Sequence, residues 1–132
     1  MTNNAEQPPP KIAPRVKSAP KIRSVYWCDF PQDAQLPEFW KRRPVLILSK
    51  QSRLHGSVTV LPFTTKSQPD NPKAYSVVSP IDGQQAWVIC DYLTTVAVSR
   101  LSPPGRVVPR LDQENFDKII GIALDGLPRP DH

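Results

Sequence analysis

The sequence predicts a mainly β fold: a small bent sheet or barrel closed by one C-terminal helix. Three observations carry this. Six short runs rich in β-branched and aromatic residues, with a seventh at Arg106–Val108, are separated by turn-forming Pro, Gly, Asn and Asp. Only the stretch after Asp112 spaces its apolar residues as a helix does. No apolar run approaches the roughly 18 residues that a membrane span requires. The 132 residues suit one domain with a core of its own.

Residues 1–22 hold five prolines, several cations and few large apolar side chains. Such a composition buries too little surface to offset ordering, so the segment reads as a disordered tail. The folded domain is expected over residues 23–126. Val25-Tyr26-Trp27-Cys28-Asp29-Phe30 reads as a first strand, stopped by Pro31. Residues 31–42 form a mixed loop without periodicity, a length that in compact domains is often functional. The aliphatic run Val45–Leu48 reads as a strand buried on both faces, with Pro44 at its start. A turn through Gly56 leads to the run Val58–Thr65, where Pro62 suggests an edge position or a bulge. After the loop Lys66–Lys73 come a short strand at Ala74–Val78, a turn at Pro80–Gly83 and a strand at Ala86–Cys90. Leu93–Leu101 reads as one strand and Arg106–Val108 as a last short one. Asp112 then caps a helix whose apolar residues are Phe116, Ile119, Ile120 and Ala123, with Gly126 as its C-cap. Residues 127–132 are expected to be a flexible C-terminus.

The net charge is +5, and residues 1–23 carry five cations against Glu6 alone, so the excess belongs mainly to the tail. The domain has its own basic cluster, with Lys41, Arg42, Arg43, Lys50, Arg53 and Lys66 close in sequence. A polyanion is the fitting partner. Cys28 and Cys90 each lie in an apolar run, and the N-terminus has no apolar segment of the secretory kind. They read as reduced, buried thiols of a cytoplasmic protein. With only His55 and His132, and no Cys-x-x-Cys, neither a zinc site nor a histidine-centred acid–base pair can be assembled. No cofactor is expected. A buried strand cannot take Arg43 inside unpaired, so the guanidinium is placed at the mouth of the core, where it can hold a phosphate. The same cations also read as a solvated loop edge that discourages aggregation.

The ordered series Val25–Phe30, Arg43-Pro44-Val45-Leu46-Ile47-Leu48-Ser49, Leu61-Pro62-Phe63-Thr64-Thr65-Lys66-Ser67, Ile89-Cys90-Asp91 and Thr94-Thr95-Val96 with Ser99-Arg100-Leu101 resembles the MazF/PemK toxins of bacterial toxin–antitoxin pairs. The resemblance spans about residues 23–125. It implies a small SH3-like (CcdB/PemK-type) β-barrel with a C-terminal helix, usually a homodimer. It also implies a metal-independent endoribonuclease that cuts single-stranded RNA. The implied partner is an antitoxin whose acidic, flexible tail covers the RNA groove, with DNA reached only through the antitoxin complex.

By the same resemblance Arg43 acts at the scissile phosphate, Thr64 hydrogen-bonds its oxygens, and Glu38 and Asp91 are the candidate bases. Lys41, Arg42, Trp40, Thr65 and Lys66 are the candidate RNA contacts. The PemK-like branch has an arginine where this chain has Ile89 and a histidine where it has Pro37. The chain is therefore closer to the MazF-like branch, with Arg43 and Thr64 carrying most of the work. Each residue keeps a plain structural reading: Thr64 and Thr65 as strand residues, Glu38 as a solvated loop carboxylate, Asp91 as a turn-former, Trp40 as a loop anchor. Two rival functions keep the same fold. One is a gyrase-inhibiting binding module of the CcdB type, although the ending Leu127–His132 lacks the C-terminal pattern associated with it. The other is a homologue that binds RNA or antitoxin without cutting.

Overall fold

The computed structural model describes residues 7–31 and 41–130. These described residues hold seven strands: β1 (Val25–Asp29), β2 (Arg42–Ile47), β3 (Ser57–Thr64), β4 (Ala74–Val78), β5 (Gln85–Ile89), β6 (Thr94–Ala97) and β7 (Leu101–Ser102). One helix, α1 (Gln113–Asp125), follows. All pairings are antiparallel, in the order β4-β5-β3-β2-β1-β7, with β6 also paired to β3. Among the described residues no ladder joins β4 to β7, so the bent sheet is not a closed barrel.

The sheet is buried on both faces because successive strand residues point to opposite sides. Val25, Leu46, Leu61, Phe63, Ala86 and Val88 face α1, where they meet Phe116, Ile119 and Ala123. Their neighbours Tyr26, Cys28, Val45, Ile47, Val58 and Val60 face the other way and pack with Val96, Val98 and Leu101. This is why Val45–Leu48 reads as an unbroken apolar run. The helix begins where the sequence places it: the Asp112 carboxylate accepts the Asn115 amide N–H at 3.0 Å. That bond, and a second from the Asn115 side chain, hold the carboxyl below its ordinary range.

Four details depart from the sequence reading. The second strand starts at Arg42, so Pro44 is its third residue rather than its first. Pro62 is neither on an edge nor described by a bulge: β3 is central, pairing with β6 over Ser57–Val60 and with β5 at Phe63–Thr64. Pro62 falls in the gap between those partners, where its missing N–H costs no ladder bond. The expected strand Leu93–Leu101 is broken by a 3-10 turn at Val98–Arg100, which carries the chain from pairing with β3 to pairing with β1. Arg106–Val108 is not a strand. Prolines bracket it, Val107 is exposed, and the only bridge nearby joins Ser24 to Arg110.

The N-terminal segment also differs from a free tail. Val16 is 6% exposed and belongs to the second apolar cluster. The Arg15 guanidinium donates to Asp29 Oδ2 at 2.9 Å and to the Ser99 carbonyl at 3.1 Å. Composition averages over the segment and does not register one valine and one arginine that find partners.

Candidate functional site

The start of β2 and the end of β3 meet a groove of about 260 Å³. β2 contributes Arg42, Arg43 and Pro44, preceded by Lys41; β3 contributes Phe63 and Thr64, followed by Thr65. β1 adds Trp27, the β4–β5 turn adds Ser79, Asp82 and Gln84, and β5 adds Gln85 and Ala86. Among the described residues, three cations against the single carboxylate of Asp82 give this wall a positive balance.

Sheet register delivers the central pair. Val45 lies opposite Pro62, Leu46 opposite Leu61 and Ile47 opposite Val60. Extending the register two residues sets Arg43 opposite Thr64, on one face of the sheet. Arg43 Nη1 indeed lies 3.5 Å from Thr64 Oγ1. The Lys66 backbone N–H donates to the same oxygen at 3.2 Å. A hydroxyl has two acceptor positions and one hydrogen. Both acceptor positions of Thr64 are engaged, so its own hydrogen is the group left to donate to a ligand. Partial burial disfavours the charged form of Arg43 and lowers its pKa from the ordinary arginine value.

The other walls are held by local chemistry. The Asp82 carboxylate accepts the Gln84 N–H at 3.0 Å, and Ser79 Oγ accepts the Ile81 N–H at 3.3 Å. Gly83 adopts φ 72°, the left-handed conformation that glycine takes without strain. Trp27 lies beneath Arg42, whose guanidinium carbon sits 5.2 Å from the ring centroid, a cation–π geometry. Arg42 Nε is also 3.9 Å from Asp29 Oδ1.

Of the residues singled out in the sequence, the groove brings together Lys41, Arg42, Arg43, Thr64 and Thr65. Lys66 reaches it through its backbone N–H, while its side chain is exposed beside it. Asp91 does not line the groove. It sits in the turn after β5, whereas the groove meets β5 at its opposite end, through Gln85 and Ala86. Glu38 and Trp40 lie outside the described residues. Lys50 and Arg53 belong to the turn beyond the far end of β2. Sequence reasoning missed Trp27 and the β4–β5 turn. Trp27 could have been found from strand alternation, since its neighbours Tyr26 and Cys28 both fill the opposite cluster. The turn reaches the groove only through the β3–β5 pairing, which no local pattern encodes.

A further sequence expectation concerns the two cysteines. Cys28 and Cys90 are buried free thiols, each raised from 9.0 to about 12 chiefly by burial. Among the described residues no three His, Cys, Asp or Glu side chains cluster as a metal site, and no helix is long and apolar enough to cross a membrane.

Comparison with known proteins places this architecture. No curated protein sequence in the comparison matches the chain. A mycobacterial endoribonuclease solved in complex with its cognate antitoxin is 23% identical, superposes with a TM-score of 0.60, and is matched over 85% of this chain and 100% of its own. The Mycobacterium tuberculosis toxin MazF-mt6 is 24% identical with a TM-score of 0.58, over 79% of this chain and 95% of its own. MazF from Deinococcus radiodurans is 19% identical with a TM-score of 0.64, over 83% and 98%. At these identities the structures share the fold. The family profile described as PemK-like, MazF-like toxin of type II toxin-antitoxin system matches residues 21–121, and with that match across most of its length this chain belongs to that toxin family.

Proposed function

We propose that this chain is the toxin of a toxin–antitoxin pair and acts as an endoribonuclease on single-stranded RNA. The observation that carries this is the Arg43 guanidinium facing the Thr64 hydroxyl at 3.5 Å in a positively lined groove. Attack of a 2′-oxygen on the adjacent phosphorus breaks the P–O5′ bond and yields a 2′,3′-cyclic phosphate and a 5′-OH. Three tasks follow: removing the 2′-OH proton, protonating the leaving oxygen, and stabilising the charge of the phosphorane. Arg43 suits the third, because a planar guanidinium offers a fork of N–H donors to equatorial oxygens. It stays protonated at neutral pH and is a poor base, so its proton role is donation toward the 5′-oxygen. The Thr64 hydrogen fixes a phosphate oxygen. Glu38, four residues before β2 in the sequence, is our candidate for the base. Asp91, which does not line the groove, is given no task in this reading.

The mycobacterial endoribonuclease named above was solved in complex with its cognate antitoxin, and a homodimer bound by an acidic antitoxin tail is the assembly we propose here. The positive groove and such a tail are electrostatically matched. The test is to incubate the purified protein with a defined single-stranded RNA and map the new ends. Cyclic-phosphate and 5′-OH ends are expected at discrete positions. Intact RNA under conditions where the protein binds it would reject the enzyme and leave a binding module.

A further inference from the structure

A second basic cleft lies between the N-terminal segment and the loop after β7. It encloses about 500 Å³, walled by Arg15, Lys17 and Arg106 over a floor that includes Val16, Tyr26 and Val108. Among the described residues it has three cations in its wall and no carboxylate. Arg15 is engaged by Asp29, but Lys17 and Arg106 are exposed and have no carboxylate partner among the described residues. Lys17 and Arg15 precede residue 21, where the family match begins, so this wall of the cleft lies outside the matched family segment.

One side chain links a residue of the cleft to a residue of the groove. Asp29 Oδ2 holds Arg15 of the cleft at 2.9 Å, and Asp29 Oδ1 lies 3.9 Å from Nε of Arg42 in the groove wall. Arg42 of the groove wall and Arg15 of the cleft wall thus flank one carboxylate, and Lys17 and Arg106 lie on the cleft side of it. A second basic cleft linked in this way to a phosphate site suits the repeating charge of a nucleic-acid strand. We infer that this cleft binds backbone phosphates of the same single-stranded RNA, beyond the nucleotides held in the groove. Its part is affinity and a preference for longer substrates, without a role in bond cleavage. The inference rests on the ribonuclease reading.

The experiment uses the full chain and 2′-O-methyl oligonucleotides, which lack the nucleophile and are not consumed. Binding of a strand of about 5 nucleotides and one of about 15 nucleotides, bracketing usual single-strand site sizes, is measured against salt for the wild type and the variant Lys17→Gln/Arg106→Gln. Both substitutions are on exposed side chains, and circular dichroism confirms the fold. The wild type is expected to bind the longer strand more tightly. The variant is expected to lose on the order of tenfold affinity for that strand only, with a salt slope shallower by about 1.4, two phosphates at about 0.7 each. Equal affinity and slope in variant and wild type for the longer strand would overturn the cleft assignment and leave the ribonuclease reading standing. Failure of the wild type to bind either strand would overturn both. A variant that keeps its RNA affinity but loses binding of a polyglutamate peptide would assign the cleft to an acidic protein segment and also overturn the inference.

Discussion

Replacing Thr64 with valine separates chemistry from stability. Valine keeps the shape of threonine and deletes the hydroxyl, which accepts from Arg43 Nη1 at 3.5 Å and from the Lys66 N–H at 3.2 Å. The first contact is at the long limit of a hydrogen bond. The second donor belongs to an exposed residue, where water can replace the lost acceptor. The expected stability cost is therefore about 1 kcal/mol, a fall of roughly 4 °C in Tm for a domain of this size. Taken from a starting stability of about 5 kcal/mol, that loss still leaves about 99.9% of the molecules folded. Unfolding thus cannot reduce the rate measurably. Loss of one preorganised donor to the developing charge, by contrast, costs about 10²–10³ in rate, or about 3 kcal/mol. The assay is single-turnover cleavage of a fluorogenic RNA, run beside thermal unfolding. Thr64→Ser, which restores the hydroxyl, should recover most of the rate. A Thr64→Val protein within about threefold of wild type would refute the argument, because a donor aimed at a reacting phosphate cannot be worth so little.

The remaining predictions concern the same site and its supports. Arg43→Lys keeps a charge but loses the planar fork, so cleavage should fall by about 10²-fold or more; growth inhibition by the lysine variant equal to wild type would remove Arg43 from the chemistry. Cleavage should persist in excess EDTA, and its loss on chelation, restored by a divalent ion, would contradict the proposed mechanism. Val16→Ala should lower stability by about 1–2 kcal/mol if the N-terminal segment is packed in solution as it is here, and an unchanged Tm would show that it is not. Cys28 and Cys90 are raised from 9.0 to about 12, so the folded state resists thiol ionisation more than the unfolded chain does. Their contribution is complete below about pH 9 and is lost as pH rises toward 12. Stability should fall over that range, and less steeply in a Cys28→Ala/Cys90→Ala protein; identical pH profiles would deny the thiols that part.

What the sequence made legible was local. Asp112 and the spacing Phe116, Ile119, Ala123 announced the helix because cap and periodicity act within a few residues. Ala74–Val78 was bounded correctly because turn chemistry closes it on both sides. The fate of Leu93–Leu101 was not legible, because the break at Val98–Arg100 serves a change of partner strand and only the assembled sheet demands it. Arg43 and Thr64 could be named separately, yet their meeting depends on register between β2 and β3, a property of the pair. Trp27 was overlooked for the opposite reason: its strand looked wholly structural, and only the alternation of its neighbours releases it to the groove.

Two prolines explain why a groove exists where the register would otherwise continue a ladder. The Ile47 N–H points toward β1, donating to the Ser24 carbonyl, and the Leu48 N–H points toward β3, donating to the Thr59 carbonyl. Amides alternate along a strand, so the nitrogen of Pro44 also points toward β3, where it has no hydrogen to give. The β2–β3 register accordingly ends at Val45. Beyond it Arg42, Arg43 and Pro44 stay paired with β1, while Phe63 and Thr64 pair with β5. Pro62 is placed by the same alternation, its nitrogen turned to the gap where β3 exchanges β6 for β5. The two strands are thus held by different neighbours at the one point where they face each other unladdered, and Arg43 and Thr64 occupy that point. In the sequence Arg43-Pro44 the arginine supplies the charge, and the proline ends the ladder that would otherwise close over it.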